Sequence, residues 1–235
     1  MREHISGQYD AELDAVRDHV MEMGGVVEMV LREAGDALLQ FDADLAESAI
    51  ARDAEVNRLE VLIDEECNRI IARRQPTASD LRLVMSIVKT IPDLERIGDE
   101  AQRIAKMALE TSGMEHPRDP LTDVREMIRL CRENLRAALD AFARVAVDDA
   151  VETIARDKQI DRLYNAVLAR LVPLMETEPT QVRPLLNVIW CARSLERIGD
   201  HAKNVCEYVV YLGRGQDVRH RSLEKKREEL ADRRD

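Results

Sequence analysis

The sequence predicts an all-α protein built as two tandem three-helix bundles that are related by an internal duplication. Its composition favours helix over sheet, since 45 % of its 235 residues are hydrophobic and 34 % charged but only 3 % aromatic. Apolar residues recur at three- and four-residue spacing along nearly the whole chain, which is the helical period. The segment LERIGD at residues 94–99 also returns at residues 195–200, 101 positions later. A repeat of this kind predicts two copies of one structural unit.

The first half is predicted to hold three long helices. Pro76 disfavours helix in the residue before it, so the loop around it separates the second helix from the third. We expect the third helix to continue through Pro92 with a kink, because the second copy has Arg193 there within an unbroken helical pattern. The Gly and Pro residues over 112–120 then end it. The expected helices cover about residues 10–40, 43–73 and 77–111.

The second half repeats this plan. The segment RDAEVNRLEVLI at 52–63 aligns with RDKQIDRLYNAV at 156–167, so the duplication includes the second helix of each half as well as the third. The expected helices cover about residues 121–145, 148–176 and 180–212. Helices of about 30 residues, roughly 45 Å long, pack antiparallel when short turns join them. The predicted domains are residues 1–114 and 115–213, followed by a charged, solvated tail over 214–235.

The composition disfavours several classes of partner. The formal net charge of −11 repels nucleic acid and anionic lipid, so neither is expected to bind. No apolar run approaches the roughly 18 residues that span a bilayer, so direct membrane insertion is not expected. The cysteines lack C-x-x-C spacing and are expected to be reduced core residues of a cytoplasmic protein. They are Cys67, Cys131, Cys191 and Cys206.

Each copy of LERIGD places two carboxylates one turn apart where an apolar stripe would continue. The stripe begins at Leu81 in the first copy and at Val182 in the second. The carboxylates are those of Glu95 and Asp99, and of Glu196 and Asp200. Carboxylates are almost never fully buried unless they are paired or bound to a cation. The glycine inside each pair, Gly98 or Gly199, costs about 1 kcal/mol of helix stability relative to Ala, which indicates close approach of another backbone or a ligand.

The preceding helix of each half adds oxygen ligands to the neighbouring face. Hard divalent cations prefer carboxylates from more than one element, and such sites are built inside helix bundles. We therefore predict two cation sites, with Mg, Mn, Fe or Zn as the metal and its identity open. The candidate ligands of the first half are Asp53, Asn57, Glu60, Glu95 and Asp99. The candidate ligands of the second half are Asp157, Asp161, Glu196 and Asp200.

A purely structural interpretation of the same acids stays open. A Glu–Asp pair one turn apart is often a solvated face or a partner for arginine. The arginines that could pair with these acids are Arg58, Arg96, Arg103 and Arg197. The cysteines are expected in the core rather than at a metal, and His201 is expected on the surface. The sequence contains no E-x-x-H pair, so a ferritin-like di-iron site is disfavoured.

Several segments are characteristic in combination. They are QYDAELDAVRDHVMEMGGVVE near the N-terminus, RQPTASDLRLVMSIVKTI, the two ERIGD segments and GQDVRH near the C-terminus. Together they resemble the PhoU family of accessory proteins of the phosphate-specific transport system, over all but about the last dozen residues. The resemblance implies a negative regulator of the phosphate-starvation response. It also implies an adaptor between the nucleotide-binding subunit of the phosphate ABC transporter and a membrane sensor histidine kinase.

The resemblance further implies metal clusters held by E/D-x-x-x-D motifs, two in each half. The motifs that match are Glu95-x-x-x-Asp99, Asp157-x-x-x-Asp161 and Glu196-x-x-x-Asp200. In the fourth, Asp53-x-x-x-Asn57, the closing acid is an amide, which offers a carbonyl oxygen but no charge. Glu60, one turn further on, could compensate, whereas the second half has Tyr164 there. We therefore expect the two sites to be unequal.

Three function classes are compatible with these residues. The leading prediction is a regulatory adaptor without catalysis, because the sequence shows no nucleophile–base pair, no glycine-rich phosphate loop and no zinc signature. The alternative is an all-helical, metal-dependent nucleotide phosphohydrolase, which would also hold Mg²⁺ with paired acids. An assay of phosphate release from nucleoside triphosphates distinguishes the two classes. Release that the substitution Glu95→Gln abolishes would identify a phosphohydrolase. A helical scaffold without metal is the third possibility, and elemental analysis of the purified protein would distinguish it from the other two.

We also expect the protein to form a twofold homodimer.

Overall fold

The computed structural model describes residues 2–111 and 121–219, with the backbone alone before residue 7. Its helices are α1 (Arg2–Gln40), α2 (Ala43–Ala51), α3 (Asp53–Arg74), α4 (Ala78–Thr111), α5 (Leu121–Arg144), α6 (Val147–Thr177), a 3₁₀ turn (Pro179–Gln181) and α7 (Val182–Arg214). The described residues contain no strand, which confirms the all-α prediction, and α1 begins earlier than predicted. None of the described helices is long and apolar enough to cross a membrane.

The helices form two bundles. In the first half α1, the α2–α3 pair and α4 pack against one another, and in the second half α5, α6 and α7 do so. α4 also packs extensively on α7, and α1 contacts α5, so the buried apolar residues of both halves form one continuous core. The predicted break over 112–120 and most of the predicted tail, 220–235, lie outside the described residues. The domain boundaries at 114 and 213 stay predictions.

The second predicted helix, 43–73, is wrong as a single element, because the chain leaves the helix at Arg52 between α2 and α3. α2 begins where the Leu45 amide donates a hydrogen bond of 3.1 Å to the Asp42 carboxylate, an N-cap that satisfies an otherwise free N–H. After its end, the Arg52 guanidinium donates hydrogen bonds of 2.9 and 3.0 Å to the buried Glu33 carboxylate of α1. A buried carboxylate needs such a partner, and this ion pair anchors the chain where the helix is interrupted.

Other helix ends follow local backbone signals. The residues after α3 and α5, Gln75 and Val145, have left-handed φ angles of 49° and 52°. α7 ends at Gly215, whose φ is 69° and whose amide donates to the Tyr211 carbonyl at 2.8 Å, a left-handed cap that glycine adopts without steric cost. α4 is continuous through Pro92, so the prediction of one helix there is confirmed.

The apolar stripes of α4 and α7 differ from those predicted. Leu81 is 40 % exposed and Val182 is 38 % exposed, so the predicted first positions of both stripes are wrong. Val84 and Ile91 of the predicted α4 stripe are buried, and the buried stripe continues through Leu94 and Ile97. Because Glu95 is half-buried and follows Leu94 directly, its carboxylate lies at the margin of the buried stripe rather than on it.

The predicted core cysteines and the predicted tail have different outcomes. All four cysteines are buried free thiols, which confirms their assignment to the core, and burial raises the pKa of Cys67 and of Cys191 to about 12. In the described start of the tail Val218 is buried, whereas Asp217 and Arg219 are exposed and pair with each other at 2.5 Å. The prediction of a solvated tail is therefore wrong at Val218 and stays a prediction for the rest of the tail.

A buried carboxylate joins the two bundles where α4 packs against α7. Asp93 of α4 is 8 % exposed and makes hydrogen bonds to three side chains of α7. These are His201 Nδ1 at 2.6 Å, Asn204 Nδ2 at 3.0 Å and the Tyr208 hydroxyl at 2.8 Å. Burial raises the pKa of Tyr208, and the Asp93 charge raises it further, so the hydroxyl remains a donor at neutral pH. His201, expected on the surface, is therefore a half-buried interface residue.

Candidate functional site

The first acidic cluster consists of Glu60 of α3 with Glu95 and Asp99 of α4, whose carboxyls repel one another. Burial raises the pKa of Glu95, and the charges of Asp99 and Glu60 raise it further. Burial also raises the pKa of Glu60, against the opposing effect of Arg96. Arg96 lies 3.4 Å from both Glu95 and Asp99. Its side chain is 55 % exposed, so these ion pairs are weak and the cluster keeps its excess negative charge.

Asp53 and Asn57, the other predicted ligands of the first half, pair with each other on α3. The Asn57 side-chain amide donates a hydrogen bond of 3.2 Å to the Asp53 carboxylate. Asp53 is half-buried and Asn57 is exposed. Because residue 57 is an amide, it forms a hydrogen bond with Asp53. A carboxylate at residue 57 would instead repel Asp53.

The second acidic cluster combines Asp157 and Asp161 of α6 with Glu196 and Asp200 of α7. Asp157 is buried, Asp161 is exposed, and the two α7 residues are half-buried. Burial raises the pKa of Asp157 and of Glu196, and the neighbouring carboxylates act in the same direction. The four ligands predicted for the second half are therefore electrostatic neighbours on α6 and α7.

A lysine ammonium lies between two carboxylates of the second cluster. Lys203 Nζ is 3.0 Å from Asp157 Oδ2 and 2.6 Å from Asp200 Oδ1. Burial lowers the pKa of Lys203, but its hydrogen bonds to the two carboxylates outweigh that effect and the pKa is raised overall. A charged group of the chain thus takes the place that a bound cation would occupy. The matching residue of the first half, 101 positions earlier, is the neutral Gln102.

Arg193 neutralises a third carboxylate of the second cluster. Its Nη1 lies 2.7 Å from Glu196 Oε2, and its guanidinium lies 5.8 Å from the centre of the Tyr164 ring, within cation–π range. The matching residue of the first half is Pro92. The second cluster therefore pairs with Lys203 and Arg193, whereas the first pairs with Arg96. Arg193 and Arg96 are both exposed.

The two glycines of the repeat are not equivalent. A Cβ at Gly199 would lie 2.8 Å from Asp157 Oδ1 and 2.9 Å from Ile160 Cδ1, closer than real Cβ contacts. A Cβ at Gly98 would meet Val56 Cγ1 at 3.5 Å, an ordinary contact. Side chains rather than another backbone lie next to both glycines, so the predicted approach of a backbone is wrong at Gly98 and at Gly199. A side chain at residue 199 would require Asp157 and Ile160 to shift.

The fit to a metal differs between the clusters. Residues 2–111 and 121–219 contain no group of three or more His, Cys, Asp or Glu side chains arranged to hold a metal ion. In the second cluster Lys203 and Arg193 already hold the carboxylates, so those residues do not fit a cation as they are arranged. In the first cluster the mutual repulsion of three carboxylates favours a cation, although the side chains must turn to share one. The nine predicted ligands stay predictions.

Sequence reasoning missed the two built-in cations, although the sequence carries a signal for them. Lys203 lies three residues after Asp200, and Arg193 lies three residues before Glu196. Side chains three apart on a helix are neighbours, and opposite charges at that spacing attract. Asp93 had no comparable signal, because its partners are on another helix more than 100 residues away.

We expect Glu95→Gln to stabilise the fold at neutral pH and to lose that effect in acid. The folded-state pKa of Glu95 is raised, so its ionised form disfavours folding. This penalty is present above the folded-state pKa and disappears as pH falls toward the unfolded value of about 4.3. The expected gain at neutral pH is about 0.5 kcal/mol, the size of a like-charge pair one turn apart. Urea unfolding between neutral pH and the unfolded pKa measures it.

Glu126→Gln is the matched control of opposite sign. Hydrogen bonds from Arg129 lower the pKa of Glu126, so its ionised form favours folding above the unfolded pKa, and that contribution fades as pH falls through the folded value. The control should therefore lose stability at neutral pH. If Glu95→Gln also loses stability at neutral pH, the account of the first cluster as mutually repelling carboxylates is wrong.

Known proteins show the same duplicated plan. The family model described as PhoU domain matches this chain twice, at residues 20–108 and 124–209. A relative from Pseudomonas aeruginosa, named phosphate-specific transport system accessory protein PhoU homolog, is 47 % identical over 228 residues, which cover 97 % of this chain and 94 % of its own. The phosphate-specific transport system accessory protein PhoU of Escherichia coli K12 is 46 % identical over 220 residues, which cover 94 % of this chain and 91 % of its own.

Two crystal structures share the fold. PhoU from Pseudomonas aeruginosa has a TM-score of 0.86 at 45 % identity, over 88 % of this chain and 100 % of that one. The phosphate transport system regulatory protein PhoU from Streptococcus pneumoniae has a TM-score of 0.82 at 30 % identity, over 89 % of this chain and 99 % of that one. The paired domain matches, the near-complete coverage and the shared fold together show that this chain belongs to the PhoU family.

Proposed function

We propose that the protein is a negative regulator of the phosphate-starvation response that also modulates phosphate uptake. The observation that carries this proposal is 46 % identity, over 94 % of the chain, to a protein named as an accessory protein of phosphate-specific transport. The solved relative from Streptococcus pneumoniae is described as a regulatory protein of phosphate transport. Both names describe accessory or regulatory proteins, which supports an adaptor over a catalyst.

As an adaptor, the protein acts through the surfaces that contact its partner proteins. The proposed partners are the nucleotide-binding subunit of a phosphate ABC transporter and a sensor histidine kinase, with the protein in the cytoplasm. A net charge of −11 favours docking of acidic faces to basic patches, and such contacts weaken with salt. The phosphohydrolase alternative has less support, because Lys203 and Arg193 already neutralise one of its two candidate Mg²⁺ sites.

The proposal includes a divalent cation at the first acidic cluster. Glu60, Glu95 and Asp99 come from two helices and have no built-in ammonium between them, unlike the second cluster. A hard cation bound there would relieve the repulsion that burial intensifies, and water can complete its coordination. Oxygen ligands and partial exposure favour Mg²⁺ or Mn²⁺ over softer metals.

Metal should therefore stabilise the chain through its first cluster. After removal of metal with EDTA, Mg²⁺ or Mn²⁺ at tenfold above its dissociation constant is expected to add about 1.4 kcal/mol, or ~4 °C in Tm for a chain of this size. The double variant Glu95→Gln with Asp99→Asn should lose the shift, and Glu196→Gln with Asp200→Asn should keep it. Thermal melts give the readout.

Lys203→Met provides a gain-of-response variant. Removing the ammonium leaves Asp157 and Asp200 uncompensated, so this variant should be less stable without metal and should respond to metal more than the wild type. A wild-type Tm that no metal changes contradicts the proposed site. So does a shift that survives Glu95→Gln with Asp99→Asn.

We expect the protein to form a twofold homodimer. Closed C₂ dimers are the commonest assemblies of soluble proteins, and long helices with exposed faces provide area for an isologous contact. Light scattering at micromolar concentration should give twice the 26.8 kDa chain mass. A mass equal to that of one chain under these conditions contradicts the dimer.

A reporter of the starvation response in phosphate-rich medium tests the regulatory function. Deleting the gene should leave the reporter on, and the wild-type protein should restore repression. Glu95→Gln with Asp99→Asn should repress only in part, and Glu196→Gln with Asp200→Asn should cause a smaller defect because Lys203 and Arg193 already neutralise that cluster. Combining all four substitutions should cause the largest defect.

Folding of each variant is checked by circular dichroism and melting before the reporter is read. If the deletion strain represses normally in rich medium, the proposed regulatory function is wrong. If the folded quadruple variant represses as well as wild type, the acidic clusters are structural features outside the regulatory surface.

A further inference from the structure

A groove between α4 and α7 gathers cationic side chains around an exposed indole. Its volume is about 370 Å³, within the usual range of small-molecule sites. Trp190 is 55 % exposed there. The cations are Arg103, Lys106, Arg193 and Arg197, and Met107 adds apolar surface to the lining. Four cations in one groove run against the net charge of −11, and the metal and adaptor proposals leave three of them unused: Arg103, Lys106 and Arg197.

The arginines are held in place but keep free donors. The buried Glu100 carboxylate lies 2.8 Å from Arg197 Nε and 3.1 Å from Arg103 Nη1. A guanidinium has five N–H donors, so each arginine retains several that can reach a ligand. Glu100 and Glu196 are two carboxylates against the four lining cations, so the groove remains positive.

The duplication provides an internal comparison for this groove. At the opposite end of the α4–α7 contact, the Asp93 carboxylate binds Asn204 and two other donors of α7. The residues that match Asp93 and Asn204 by the 101-residue offset are Ser194 and Arg103, and both line the groove. At the groove end a small hydroxyl side chain takes the place of the Asp93 anion, and Arg103 takes the place of the amide. The buried Glu100 carboxylate takes the place of His201 and pairs with Arg103 and Arg197.

We propose that this groove binds a nucleoside di- or triphosphate, with the base on Trp190 and the phosphates on Arg103, Lys106 and Arg197. Arginine forks match phosphate oxygens, and an exposed indole face stacks on a nucleobase. The groove is larger than an inorganic phosphate ion requires, and its Trp190–Met107 surface favours a ligand with an aromatic part. The inference goes beyond the proposed regulatory function and does not depend on it. It concerns binding of the ligand alone and includes no reaction of the ligand.

Trp190 makes the test direct, because it is the one tryptophan of the chain. Its fluorescence in the full-length protein is followed during titration with ATP, ADP, tripolyphosphate, adenosine or a hexaglutamate peptide. ATP and ADP should quench it saturably, whereas tripolyphosphate should bind at least about tenfold more weakly because it lacks the base. Calorimetry with the folded Trp190→Ala variant should show weakened ATP binding.

Charge variants locate the phosphates. Arg103→Gln and Lys106→Gln should each weaken ATP binding by about tenfold or more, the usual effect of losing a charge-assisted hydrogen bond. Arg129→Gln is the matched control, since Arg129 is an exposed arginine of α5 held by Glu126 and Glu133, away from the groove. It should bind ATP as the wild type does.

Four outcomes would overturn the proposal. They are no saturable quenching by ATP or ADP up to millimolar concentration, equal affinity for tripolyphosphate, tighter binding of hexaglutamate, and unchanged affinity in Arg103→Gln. Equal affinity for tripolyphosphate would reveal a site for anions alone, and tighter hexaglutamate binding would reveal a surface for acidic protein segments. Binding is measured on purified protein, so its failure is distinct from failure of repression in the reporter assay.

Discussion

The antiparallel contact between α4 and α7 determines how the two halves of the molecule are arranged. Both helices carry the repeated segment, and its Leu94 and Leu195 are fully buried. Asp93 lies at the same contact with hydrogen bonds from three side chains of α7. A buried carboxylate without partners costs several kcal/mol, so sliding α4 along α7 would lose these bonds at once. Apolar burial brings the helices together, and Asp93 fixes their register.

Duplication produced two similar three-helix bundles, and a few differences in sequence make their acidic clusters chemically different. At one pair of matched positions the first half has Gln102 and the second has Lys203, which adds an ammonium between two carboxylates. The same offset relates Pro92 to Arg193, whose guanidinium pairs with Glu196. Lys203 and Arg193 thereby add positive charge to the second cluster, whereas Arg96 faces the first. The pKa values of Glu95, Asp157 and Glu196 are nevertheless all raised. The two LERIGD segments are identical, but the residues that flank them give the two clusters different charges.

The sequence predicted what depends on local periodicity and missed what depends on contacts across helices. The apolar period located the long helices, and the repeat identified the duplication, because both are visible along one chain segment. The interruption at Arg52 could not be predicted, since its partner Glu33 lies on another helix. The acidic clusters could be predicted from the sequence only in part. Their acids were visible as a repeated pattern, and Lys203 was accessible through its spacing from Asp200, but the burial of Asp157 against Gly199 required the packed structure.

Opposite charges on neighbouring parts of the same helix pair have a consequence for specificity. α4 carries the acidic Glu95 and Asp99 and, one to two turns later, the cationic Arg103 and Lys106 of the groove. A ligand or partner that complements one region is repelled by the other, so electrostatics discriminates as well as attracts. The two regions nevertheless share a rigid element, because α4 is one continuous helix packed on α7. Occupation of one region therefore changes the charge that a partner meets at the other, within about the Debye length of 8–10 Å at physiological salt.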